Sequence, residues 1–311
     1  MSCEDATLRA IPERTPMRFT VPPPPLDPAE HLPELLPLAR TTTLLYPRSG
    51  TGRPDRADSS LGGPLLWPAD EPWPHCAAPD HQNPERGCAV VGPEPVALVP
   101  VLQLHARDVP ALEYPAGADL LQVLWCPLLH SEQDQWCPVP VLYWRVAAEV
   151  ASGPLLETAP EPHEYDEEYV PLPCVVHPTE AVEYPGYDLP DDLLDRVAAW
   201  SDRLLVDHGI DYWDAYTTRQ SKVGGYPGWN QRPNWPVCGC GRPTDHLLTV
   251  SSSESCGRWL PVEERTRPGS GWEQGDAEDD GHGMELGGLG GLYVFVCRAC
   301  PGWPTVHRYD R

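Results

Sequence analysis

The strongest constraint on how this 311-residue chain can fold is an internal repeat. SSLGGPLLWPADEPWPHC, Ser59 to Cys76, reads like QSKVGGYPGWNQRPNWPVC, Gln220 to Cys238. Gly62 and Gly224, Gly63 and Gly225, Trp67 and Trp229, Trp73 and Trp235, and Cys76 and Cys238 each stand 162 positions apart, as do Pro74 and Pro236. A constant offset across Gly, Trp, Pro and Cys points to two copies of one unit. The copies continue in parallel. An apolar run follows each motif, Val96 to Leu104 and His246 to Ser253, and a later run reaches a cysteine, Cys126 within Asp119 to His130 and Cys297 within Gly291 to Cys300. Short runs of branched and aromatic residues bounded by Gly and Pro read as buried strands.

The chain divides accordingly into an N-terminal segment (1–58), a first repeat (59–187), a connecting helix and linker (188–220) and a second repeat (221–311). The 41 prolines cannot continue helices or central ladders. The class is therefore mainly β, α+β overall, with short strands and long ordered loops. The 12 Trp and 12 Tyr far outnumber the 2 Phe and supply bulk with a polar tip. One helix is expected around residues 190–208. Pro190 suits a first turn, Asp191 and Asp192 suit the positive end of the dipole, and Gly209 suits the stop. Leu193, Leu194, Val197, Trp200, Leu204 and Leu205 share its apolar face. A weaker helix, broken by Pro33 and Pro37, is expected from Pro28 to Arg40. Residues 148–168 read as linker, and Pro268 to Gly291 as a long Gly-rich loop with an acidic middle.

The cysteines carry the chemistry. Cys238-Gly-Cys240-Gly and Cys297-Arg-Ala-Cys300 are two close pairs far apart in sequence, the pattern of a zinc-ribbon-like four-cysteine site. Each turn would present two thiolates to one tetrahedral ion. The spacing of Cys238 and Cys240 is one residue shorter than usual, and Cys256 is an alternative ligand. By the repeat, Cys76, His81, Cys126 and His130 form a cognate set for a second zinc, with His75, Cys88 and Cys137 as competitors.

With 22 basic and 46 acidic residues the formal net charge is −24. Phosphate binding needs a basic surface, so nucleic acid is excluded as a partner, and anionic membranes are disfavoured. A basic protein would be attracted. Met1 to Thr20 has no apolar core of a signal peptide, and no apolar run nears the ~18 residues of a membrane helix. A cytoplasmic protein with reduced cysteines is expected. There is no phosphate loop, no HExxH and no GxSxG. The Gly-Gly pairs read as turns where a side chain would not fit.

SKVGGYPGW, WPVC, HLLTV and YVFVCRAC, with SSLGG and VPVLQLHARDVPALEYPAGADLLQVLWC in the first half, resemble the YwqG-like family, a bacterial domain without established activity. The resemblance covers most of residues 59–311. It implies coiled, bifurcated antiparallel sheets. A more distant similarity to programmed cell death protein 2 implies chaperoning of a basic ribosomal protein. The short spacing at Cys238 departs from the CxxC of similar proteins.

These readings converge on a zinc-stabilised protein-binding protein, in a client-chaperone role or an immunity-type role against a toxin-like partner, rather than an enzyme. Trp67, Trp73, Trp229 and Trp235 are candidates for a binding groove between the halves, or else for core. The alternative is a metal-dependent hydrolase using His81, His130 or His105 with the acidic stretches Asp166–Glu168 and Asp276–Asp280.

Overall fold

A computed structural model describes residues 18–310, apart from positions 79, 88, 91, 93, 132–135, 255–256, 266–280 and 289. In chain order the strands are β1 (Arg40–Leu44), β2 (Ser60–Leu61), β3 (His75–Cys76), β4 (Gln82–Asn83), β5 (Ala89–Val90), β6 (Val96–Ala97), β7 (Val99–His105), β8 (Leu120–Trp125), β9 (Pro140–Arg145), β10 (Cys174–Val175), β11 (Thr179–Glu183), β12 (Lys222–Gly224), β13 (Asp245–Ser251), β14 (Gly291–Val296) and β15 (Thr305–Asp310). The helices are α1 (Pro28–His31), α2 (Ala147–Val150), α3 (Asp191–His208) and α4 (Tyr212–Tyr216). The mainly β expectation is met.

Two antiparallel sheets dominate. One runs β10-β2-β7-β8-β9 and the other β11-β1-β12-β13-β14-β15. From β2 and from β12 onward the orders correspond strand for strand. So do their irregularities: the β7–β8 register shifts between Pro100 and Leu102, and the β13–β14 register between His246 and Leu248. An extra residue at the same place in each ladder bends both sheets alike.

Residues on the middle strands explain the layering. Leu121, Val123 and Trp125 of β8 and Leu292, Val294 and Val296 of β14 meet in one core shared by both sheets. Their alternate neighbours face outward into separate cores. Leu124 packs with Trp67 and Trp73, and Tyr293 and Phe295 pack with Trp229. Both faces of β8 and β14 are therefore covered, and for that reason they read as continuous apolar runs rather than as alternation. The tryptophans belong to these outer cores, which corrects the groove expectation. Trp67 and Trp73 lie 4.9 Å apart in one half, Trp229 and Trp235 lie 6.4 Å apart in the other, and only Trp235 is partly exposed.

The Gly-Gly turns fit no side chain. Gly62, Gly63, Gly224 and Gly225 all have positive φ. A Cβ on Gly62 would meet the Leu172 carbonyl oxygen at 2.5 Å, and one on Gly225 would meet Oε1 of Glu183 at 1.8 Å. That carboxylate is fully buried and receives Nζ of Lys222, also fully buried, at 2.9 and 2.7 Å.

Two elements differ from the sequence reading. β1 and β11, from the N-terminal segment and the first repeat, complete the second sheet. The weaker helix is instead α1 followed by a 3-10 turn at Pro33–Leu38 and then β1, because Pro33 removes an amide donor just after α1. The connecting helix runs as expected from Asp191 to His208, closed by left-handed Gly209. Leu205 on that helix, however, points to solvent. The long Gly-rich loop lies partly outside the described residues. Its last part returns to the core through Met284 and Leu286.

Candidate metal centres

The first centre is assembled by three local pairings. Cys76 lies in β3, held against β6. Cys126 follows the last residue of β8. His81 and His130 flank a bridge in which Gln82 and Leu129 exchange both backbone hydrogen bonds, at 2.9 and 3.0 Å. That bridge sets the imidazoles 5.7 Å apart. Sγ of Cys76 lies 3.9 Å from Nε2 of His130, and Sγ of Cys126 lies 3.9 Å from Nδ1 of His81. All four donor atoms fall within 4.8 Å of one another.

The second centre sits at the corresponding end of the other sheet. Cys297 follows the last residue of β14. Its turn closes through Cys300 N–H donating to the Cys297 carbonyl and Trp303 N–H to the Cys300 carbonyl, with Gly302 left-handed. Opposite it, Cys238 N–H donates to Arg242 O and Gly241 N–H to Cys238 O, with Gly241 left-handed. Cys238 and Cys300 sulfurs are 3.9 Å apart, and those of Cys240 and Cys297 are 3.8 Å apart. This set too lies within 4.8 Å.

The spacing fits a tetrahedral zinc. Zn–S bonds of about 2.3 Å put neighbouring sulfurs about 3.8 Å apart, whereas a disulfide needs about 2.05 Å. The donor types fit as well, four thiolates in one set and two thiolates with two imidazoles in the other. Backbone amides support the sulfurs. Ala78 N–H donates to the Cys76 sulfur at 3.5 Å, and the backbone amides of Leu128, Cys240 and Arg242 favour the ionised sulfurs of Cys126, Cys238 and Cys240. In each case the amide lies two residues after the cysteine it serves, a regularity the sequence does not announce.

The Cys126 thiol holds Cys76 well below its ordinary value, and the same contact pushes Cys126 far above it. The Arg242 amide, followed by the Cys300 and Cys238 thiols, lowers Cys240 to about 7. Cys300, facing Cys240, rises to about 12. A divalent ion would displace the thiol protons and leave every sulfur ionised.

Of the competing ligands, His75 turns its Nδ1 to the Trp73 carbonyl at 2.8 Å. Cys137 bridges to His130 through the backbone but lies outside the cluster. Cys88 and Cys256 lie outside the described residues, as does Asp276–Asp280. Asp166 caps the turn at Glu167–Tyr169. His105 ends β7 away from both sets. Among the described residues no other group of His, Cys, Asp and Glu converges in this way, and no helix is long and apolar enough to cross a membrane.

Sequence reasoning missed what surrounds the second centre. Arg298, inside the Cys297–Cys300 turn, pairs with Glu113 at 2.8 Å and Asp245 at 2.7 Å. Trp303 packs edge-on against Trp144 of β9 at 5.8 Å. This turn thus docks on the first sheet. No family model matches the chain, and no curated protein matches it.

Proposed function

We propose that this protein is a non-enzymatic binding protein, built from two copies of one unit that are each stapled by a zinc ion, with an acidic surface that receives a basic protein partner. The carrying observation is the pair of four-donor clusters at corresponding ends of β8 and β14. Each cluster ties its Gly-Gly/Trp/Cys segment across the outer face of the middle strand. Apparent zinc binding of about 10–16 kcal/mol in small modules rivals the roughly 5–15 kcal/mol net stability of a domain. The ions would therefore be part of the fold.

Four protein ligands per set leave no coordination position for an attacking water, which a catalytic zinc requires. His105 and Asp166, the other groups of the hydrolase reading, serve neither set. The formal charge of −24 favours a basic client. Membership of the YwqG-like family and a cytoplasmic location accord with this reading and belong to the proposal.

Elemental analysis of the purified full chain tests it. Two zinc ions per chain are expected, with Cys297→Ser losing one and either melting earlier or aggregating. The partner should bind at low salt and release at high salt. Protein without zinc, or hydrolysis that tracks the zinc content, would overturn the reading.

A further inference from the structure

A cavity of about 600 Å3 opens beside the β1–β11 ladder, and none of the candidate metal ligands lines it. Thr41, Glu180 and Val182 share the ladder face that lines it, and Pro22, Pro23 and Pro24 line it too. Its volume is in the range of small-molecule sites. Arg258 also lines it and is only 5% exposed.

The surroundings of Arg258 are unusual for a buried cation. Its Nε donates to the Ala215 carbonyl, its Nη1 donates to the Pro22 carbonyl at 2.6 Å, and its guanidinium lies 4.0 Å over the Trp259 ring. Among the described residues Nη2 meets no acceptor, and no carboxylate pairs with the guanidinium. Among the described residues the charged neighbour it feels is another cation, Arg265, and the other groups are the phenols of Tyr216 and Tyr46. Burial lowers Arg258 to about 10, so it stays charged at neutral pH. A buried cation without an anion is costly, and a charged hydrogen bond is among the strongest a site can offer.

The geometry points to a binding site for a small monocarboxylate with an apolar body. The carboxylate would take Nη2 of Arg258, and the prolines, Val182 and Tyr184 would enclose the body. Asp27 spends Oδ1 on the Ala29 amide at 2.9 Å, and Glu180 is exposed at the rim. These two acids disfavour dianions and phosphate esters. The overall negative charge slows the approach of an anion but is screened beyond about 8–10 Å, so the local guanidinium decides affinity.

Calorimetric titration of the full chain with 4-phenylbutyrate and with its neutral primary amide tests the site. The acid should bind saturably at one per chain, and the amide about tenfold or more weakly, the loss of one charged hydrogen bond. Val182→Trp, at a position 55% exposed, fills the mouth and should weaken the acid about tenfold or more. Arg258→Gln should bring the acid down to the affinity of the amide. If that variant fails to fold, the amide and Val182→Trp still decide. Equal binding of acid and amide, unchanged binding by Val182→Trp, or no saturable binding of the acid would each overturn the proposal.

Discussion

Replacing Lys222 by Met should destabilise the protein by roughly 3–5 kcal/mol, because it strands a carboxylate in a dry interior. Glu183 accepts from Lys222 Nζ through both oxygens, from Thr218 N–H at 3.1 Å and from Tyr226 N–H at 2.7 Å. The third ammonium proton goes to the Thr218 carbonyl at 2.7 Å. In Lys222→Met the two amides remain, but the charge has no partner and the Thr218 carbonyl loses a donor, itself about 1 kcal/mol. The loss would remove about a fifth or more of a typical net stability of about 5–15 kcal/mol. Adding Glu183→Gln removes the stranded charge, so the double variant should recover about 2 kcal/mol relative to the single one. Urea unfolding followed by tryptophan emission measures the wild type, both single variants and the double variant. A single-variant cost below about 1 kcal/mol, or costs that simply add, would mean that the pair is not sealed from water as described.

Acid should weaken the fold through His246. Burial, with the Lys222 charge second, lowers it to about 3, against about 6.5 in an unfolded chain. Its Nδ1 must donate to the Gly224 carbonyl and its Nε2 accept from Thr249 Oγ1, so the folded protein holds the neutral ring. The unfolded chain takes up the proton first. The stability is complete above about pH 6.5 and declines by roughly 1.4 kcal/mol per pH unit below it. His105 and His307, both lowered to about 4 by burial, act in the same direction. A urea midpoint that stays flat from about pH 7 to pH 5 would refute this. Lys222 is the single lysine of the sequence and is fully buried. An amine-reactive ester should therefore leave it unlabelled in the folded protein and label it in urea, as read by peptide mass spectrometry. Labelling under native conditions at the denatured rate would contradict the burial.

The sequence made the middle of each half legible and the periphery much less so. β8 and β14 stood out because both of their faces are buried, which leaves unbroken apolar runs. α3 stood out because Pro190 and Gly209 mark its ends chemically. The candidate ligand sets were legible because Cys76 and Cys238 keep the 162-residue offset and Cys126 and Cys297 each end an apolar run. β1 (RTTTL) and β11 (TEAVE) carry too little apolar signal to announce strands. Their stability comes from partners distant in sequence, Thr43 opposite Val223 and Thr42 opposite Ala181. β9 and β15 were missed because they are outer strands with partly exposed faces. The tryptophans were ambiguous because periodicity cannot distinguish a ring lining a groove from one covering the outer face of a strand.

The place of β1 bears on the order in which the protein can be made. The first sheet draws only on residues 60–175 and can close as soon as they leave the ribosome. β1 emerges earlier still, yet its two neighbours, β11 and β12, begin at Thr179 and Lys222. At about 5–20 residues per second it waits roughly ten to forty seconds for them. Through that interval its backbone amides and carbonyls are open to any other extended chain, so nascent-chain crowding is the hazard and a holding chaperone the natural remedy.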